Sequence, residues 1–279
     1  MGPMKTSSGE YFEMLYRYRH FNFSSEAHAK EPEQILLEDK LWCSHPRSFN
    51  DPFDCRPVYV WTDLSIEEQV RRAQLMLADR GIAETSQEGK RLIERARSNV
   101  FNSPEMRAAL QFGIQQAIDQ SSVCCFNRTW HDIPMWAHYG NDHTGYCLGF
   151  KFEDGWPEDS IPLPVDYVEA RPTIDLSADT KRDKEAADAF VRAALLSKSK
   201  DWQREDEVRL FRSGVPAGHF AFSATALREL YIGYKISNEN RERIFQAARK
   251  RTSPLDVYQL RPHHERYELE AVKVELDKG

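Results

Sequence analysis

Between Cys124 and Phe152 the chain reads CCFNRTWHDIPMWAHYGNDHTGYCLGFKF, and this stretch constrains the fold more than any other. Two apolar, strand-like runs, Ser122–Phe126 and Gly145–Phe152, flank a compact segment holding His131, Asp132, Trp136, His138, Tyr139, Asn141, Asp142 and His143. Runs of that kind belong in a core, so polar chemistry is concentrated between two buried pieces. The middle predicts a short helix: Asp132 caps it, Pro134 suits its first turn, Met135, Trp136 and Tyr139 give an apolar face, and Gly140 ends it. A loop from Gly140 to Gly145 follows, held at both ends by rigid elements, where binding groups can be placed. Two readings stand. Trp136 and Tyr139 are core aromatics with His138 and His143 tying the loop, or all four form one edge of a site.

With 279 residues the chain makes one large domain or two intimate ones. A formal net charge of -6 gives no global basic field, which weakens nonspecific DNA binding and leaves a local nucleic-acid substrate open. The five cysteines, Cys43, Cys55, Cys124, Cys125 and Cys147, include no CxxC pair. Reduced, packed thiols in a cytoplasmic protein are expected. There is no apolar signal core at the start and no run of about 18 apolar residues, so membrane insertion is not expected.

The order of elements points to an α+β fold, with several helices around a mixed or split, mainly antiparallel sheet. Residues 1–13 read as a flexible leader, 14–276 as a single domain and 277–279 as a tail. Met14–Arg19 is a strand with Tyr16 and Tyr18 on one side and Leu15, Arg17 and Arg19 on the other. Arg17 and Arg19 either clamp a phosphate or line a solvated edge. Ser44–Asp54 is a turn-rich loop in which Asn50 and Asp51 bond nearby amides. Residues 65–120 form a helical insertion or subdomain. Residues 181–198 and 238–250 are further helices. Glu205, Glu207 and Arg209 share one face if the segment before Phe211 is extended, so two carboxylates share a substrate or are tied by the arginine. His263 and His264 lie in a turn between the last two strands, Val257–Leu260 and Tyr267–Val274.

Taken in order, YRYR, SHPRSFNDPFD, MWAHYGNDHTGYCLGF, WQREDEVRL and LYIG make the chain, over roughly residues 15–276, resemble the bacterial and phage-associated family called domain of unknown function 2971. The resemblance marks Arg17, Arg19, Asn50, Asp51, Trp136, His138, Tyr139, His143, Gly145, Glu205, Glu207 and Arg209 as motif positions. Their order also resembles a remote ADP-ribosyltransferase arrangement: an early-strand arginine, a middle aromatic segment and a late-strand glutamate. That resemblance implies an NAD-dependent ADP-ribosyltransferase or NAD glycohydrolase acting in bacterial or phage conflict.

In that scheme Arg17 or Arg19 holds a pyrophosphate, and Trp136, Tyr139 or an early tyrosine stacks a ring. Asn50 and His138 orient ribose or phosphate, and His143 is a further cofactor-binding position. Glu207 stabilises the oxocarbenium character that develops at the ribose. Glu205 prepares the acceptor, whether protein, nucleic acid or water. Two other classes remain. A nonenzymatic ligand- or protein-binding module would use the same aromatics, and a metal-assisted hydrolase would need ligands such as His138, His143, Asp51 and Glu207, whose spacing matches no closed metal motif; no metal is favoured.

Overall fold

The structure, a computed structural model, describes residues 12–21, 29–151, 162–181, 183–212 and 215–276. Most of the expected leader, the 277–279 tail, and residue 152 of the expected Gly145–Phe152 strand lie outside the described residues. In chain order the strands are β1 (Met14–Arg19), β2 (Lys40–Cys43), β3 (Val58–Val60), β4 (Ser122–Asn127), β5 (Tyr146–Lys151), β6 (Leu163–Pro164), β7 (Asp166–Val168), β8 (Thr173–Asp175), β9 (Ser197–Ser199), β10 (Glu207–Arg212), β11 (Gly218–Ala221), β12 (Leu227–Ile232), β13 (Asp256–Pro262) and β14 (Leu269–Lys273). The α-helices are α1 (Glu31–Glu38), α2 (Ile66–Asp79), α3 (Gln87–Arg97), α4 (Pro104–Asp119), α5 (Ile133–His138), α6 (Lys184–Leu195) and α7 (Asn238–Lys250). The chain divides into two compact units.

The first unit takes residues 1–49, 120–167 and 200–279. Its eight-stranded sheet runs β14-β13-β12-β5-β1-β4-β10-β6. Every pairing in it is antiparallel except β12 with β13, which are joined through α7. A parallel neighbour needs such a crossover, because a tight turn cannot return the chain in the same direction. The expected α+β fold with a mainly antiparallel sheet is therefore what forms.

Strand alternation divides this sheet into two buried faces. One carries Leu15, Phe126, Leu148, Phe150, Val208, Leu210 and Ile232, covered by Ile35 and Leu36 of α1 and Ile244 and Ala247 of α7. Glu33 of α1 and Arg243 of α7 form a bidentate pair at 2.5 and 2.6 Å that joins the two covering helices. The other face carries Tyr18, Cys147, Tyr231 and Leu260, covered by Met135 and Trp136 of α5. We call these the helical-core face and the aromatic face.

The second unit takes residues 50–119 and 168–199. The helical stretch expected at 65–120 lies within it, as α2, α3 and α4. Ser65 and Ser86 cap α2 and α3, their hydroxyls accepting from the amides of Glu68 at 3.1 Å and Gly89 at 3.0 Å. Val58–Val60 pairs parallel with Thr173–Asp175, and Lys198 approaches Asp54 to 3.9 Å with both side chains buried. Helical periodicity within 65–120 carries no information about this later partner segment.

One close approach fixes how β5 begins. A Cβ on Gly145 would sit 2.1 Å from the Arg19 carbonyl oxygen, a backbone atom with nowhere to go, whereas a Cβ on Gly113, inside α4, meets nothing within 4 Å. Gly145→Ala should lower stability by more than about 2 kcal/mol, in the range of overpacked core sites. Gly113→Ala should raise it by about 0.5–1 kcal/mol through helix propensity. Urea unfolding of the two variants checks both signs.

Candidate functional site

The polar segment between β4 and β5 forms the expected short helix and is fastened to the aromatic face. Asp132 caps α5, accepting from the Met135 amide at 2.9 Å. Trp136 donates its indole N–H to the Trp130 carbonyl at 2.7 Å and meets Tyr18 edge-on at 5.3 Å. Its surface is wholly buried, so the expectation that Trp136 stacks a ligand is corrected: it is the anchor of α5. His138, the last residue of α5, is exposed.

After α5 the chain turns through Asn141, Asp142 and His143, all left-handed at φ 48°, 52° and 65°. Asn, Asp and His are the non-glycine residues most tolerant of this conformation. His143 is 9% exposed, parallel to the Trp136 ring at 6.3 Å and tilted against Tyr234 at 4.9 Å. Its Nδ1 has no hydrogen-bond partner. Burial, and then the Lys235 cation, hold it below the ordinary histidine range.

The two late glutamates have different surroundings. Glu205 ends a 3-10 turn, Lys200–Glu205, and the left-handed Asp206 (φ 43°) separates it from β10. The expected single extended run through Glu205 is therefore not formed. Glu205 is buried, accepts the Tyr139 hydroxyl at 2.7 Å, and its backbone carbonyl accepts the Asn127 side-chain amide at 2.6 Å. Glu207 does share its strand face with Arg209. The fully buried Arg209 guanidinium grips both Glu207 oxygens, at 2.8 and 3.1 Å, and lies 5.3 Å from the Phe49 ring. Of the two roles open to Glu207 in the sequence, the geometry is that of a carboxylate tied by its arginine.

The register also separates groups expected to converge. Tyr16 pairs with Asn127, and Asn127 with Glu207, which puts Glu207 on the aromatic face. Arg17 and Arg19 have the opposite parity and belong to the helical-core face. Arg17, 6% exposed, donates to the Cys124 sulfur and, at 2.6 Å, to the Trp42 carbonyl. Arg19 pairs with Glu31. A pyrophosphate clamp joining these arginines to Glu207 does not fit this geometry, because the sheet itself lies between them. Asn50 and Asp51 belong to the second unit; Asn50 is exposed, and Asp51 accepts from the Phe53 amide at 2.8 Å.

Five strands bring Glu207, Asn127, Tyr16, Gly149 and Glu229 into one cross-strand row on the aromatic face. The row spans about 19 Å at the usual strand spacing. At its Glu229 end, Tyr231 donates to Glu229 at 3.0 Å and stacks between Trp130, at 4.5 Å, and Tyr258, at 4.9 Å. Burial first, then Glu229, keeps the Tyr16 and Tyr231 hydroxyls protonated far above the ordinary tyrosine range. Sequence reasoning missed Asn127, Trp130, Glu229, Tyr231 and Tyr258. Alternation assigns Asn127, Glu229, Tyr231 and Tyr258 to faces of their strands, whereas Trp130 lies in the turn after β4, and only the strand order makes them neighbours.

Among the described residues, the group close enough to share a cation is His263, His264 and Glu270, not the ligands considered from sequence. Its chemistry does not suit a metal. His263 Nδ1 takes the amides of Glu265 and Arg266, both at 3.0 Å, and the Arg266 guanidinium Nε lies 3.1 Å from Nε2, so both ring nitrogens are already engaged.

Two measurements follow from these contacts. Glu207→Gln removes the carboxylate charge that the buried Arg209 guanidinium grips and should cost about 3–5 kcal/mol in urea unfolding. Adding Arg209→Met should recover part of that loss. His143 stays neutral in the fold while the unfolded chain takes up a proton near the ordinary histidine value of about 6.5. Stability should therefore fall as pH drops through that value and stop falling below the depressed folded value. Thermal melts at about pH 7.5 and about pH 5.5 should show a smaller loss for His143→Asn, which tolerates the left-handed backbone.

No curated protein and no solved structure matches the chain. Residues 135–210, from the anchored helix through the Glu207–Arg209 strand, match the family model described as Protein of unknown function (DUF2971).

Proposed function

We propose that the aromatic face of the first unit binds a nicotinamide dinucleotide as substrate and cleaves its nicotinamide–ribose bond, with Glu205 in place of Glu207 as the carboxylate presented to the sugar. The supporting observation is the polar row from Glu207 through Asn127 and Tyr16 to Glu229, beside which the Tyr139 hydroxyl holds Glu205 at 2.7 Å. Departure of nicotinamide leaves positive charge on the ribose, and a fixed carboxylate in a site of low polarity stabilises that charge at the transition state. Tyr139 keeps the carboxylate oriented, so little reorganisation accompanies the reaction. His138 is exposed beside Tyr139, and in this proposal it orients the ribose or the acceptor. Glu229 and the Tyr16 and Tyr231 hydroxyls suit an amino-bearing aromatic ring at the far end of the row. Arg17 and Arg19 have no part in this proposal.

A second reading, binding without chemistry, draws support from Glu207, whose charge is already neutralised by Arg209. Nicotinamide release and thermal stabilisation by NAD distinguish the two. Under the first reading the wild-type chain releases nicotinamide, Glu205→Gln lowers the rate by roughly 10²-fold, and Glu229→Gln weakens binding while retaining turnover at saturation. Stabilisation by NAD without release supports the second reading. Neither effect removes both.

A further inference from the structure

On the helical-core face, Ser44 and Val123 exchange both backbone hydrogen bonds, each 2.9 Å, across an antiparallel bridge. The pair one step along, Cys43 and Cys124, therefore occupies a non-hydrogen-bonded position, where directly opposed Cα atoms lie about 4.5 Å apart. That separation is within the range a disulfide spans. Both thiols enter the same core cluster and both are free. Arg17 straddles the pair, one guanidinium nitrogen donating to the Cys124 sulfur and the other, at 2.6 Å, to the Trp42 carbonyl beside Cys43.

We propose that Cys43 and Cys124 form a reversible cross-strand disulfide, a redox-modification site with hydrogen peroxide as oxidant. The Cys124 thiol donates to Cys43 and, with Arg17, holds Cys43 below the ordinary cysteine range, while burial pushes Cys124 well above it. Of the two thiols, Cys43 gives up its proton the more readily and is the one that attacks. Its sulfur takes the terminal peroxide oxygen, the O–O bond breaks, and hydroxide leaves and is protonated to water. Cys124 then attacks the sulfenic sulfur, its proton going to the departing hydroxide as a second water. Two thiols lose two electrons in total and one peroxide gains them. Cys125 has the opposite strand parity and Cys147 lies on the aromatic face, so neither competes for this partner.

The full-length chain decides the matter without depending on any variant. Folded protein is exposed to hydrogen peroxide, alkylated, and digested without reductant for mass spectrometry. The expected product is a Cys43–Cys124 linked peptide that disappears on treatment with dithiothreitol. Its loss in Cys43→Ala and Cys124→Ala, each with an unchanged circular dichroism spectrum, confirms the assignment. Sulfinic acid at either cysteine without the linked peptide overturns the proposal, as does linkage to another cysteine or linkage only after denaturation in urea.

Discussion

Burial of both faces of one sheet is the constraint on which the first unit depends. A strand at its centre must supply apolar or fully paired side chains at every position, because neither parity leads to water. β5 meets this with Cys147, Leu148, Gly149 and Phe150, all buried, and departs from it at the buried Tyr146, whose hydroxyl has no hydrogen-bond partner. β1, β4 and β10 carry polar groups as well, among them Arg17, matched by sulfur and a carbonyl, Asn127, matched by the Glu205 carbonyl, and Glu207, matched by Arg209. The same rule fixes which residues can cooperate. Odd and even positions of β1 belong to different chemical surroundings, however close they stand in the chain.

Much of this was legible in the sequence. Alternation in MLYRYR assigned Tyr16 and Tyr18 to one side and the arginines to the other, and the structure keeps that division. Asp132, Pro134 and Gly140 marked a helix that forms as Ile133–His138, and residues 238–250 form the helix their pattern implied. Local chemistry decides such features. Convergence between strands is another matter, since Arg17 and Glu207 lie far apart in sequence and only the order β1-β4-β10, with its register, shows that they occupy opposite sides. Glu205 was misplaced for a local reason: a left-handed Asp206 carries little sequence signal compared with glycine.

The two glutamates also show how neighbours divide similar groups into different roles. Glu207 faces a fixed cation on its own strand and behaves as part of the packed sheet. Glu205, two residues earlier, faces a phenol hydroxyl carried by the segment after α5. A carboxylate locked to a guanidinium on its own strand has already spent its charge.

The turn through Asn141, Asp142 and His143 has a mechanical effect. Its middle is pinned from two directions, by the His143 amide to the Trp136 carbonyl at 3.2 Å and by the Lys235 amide to the His143 carbonyl at 3.0 Å. Gly145 also accepts from Gly233 at 2.9 Å. The end of α5 and the chain leaving β12 are thereby spliced by three peptide groups, so a ligand that tilts Tyr139 would pull on the start of α7 as a lever pulls on its hinge.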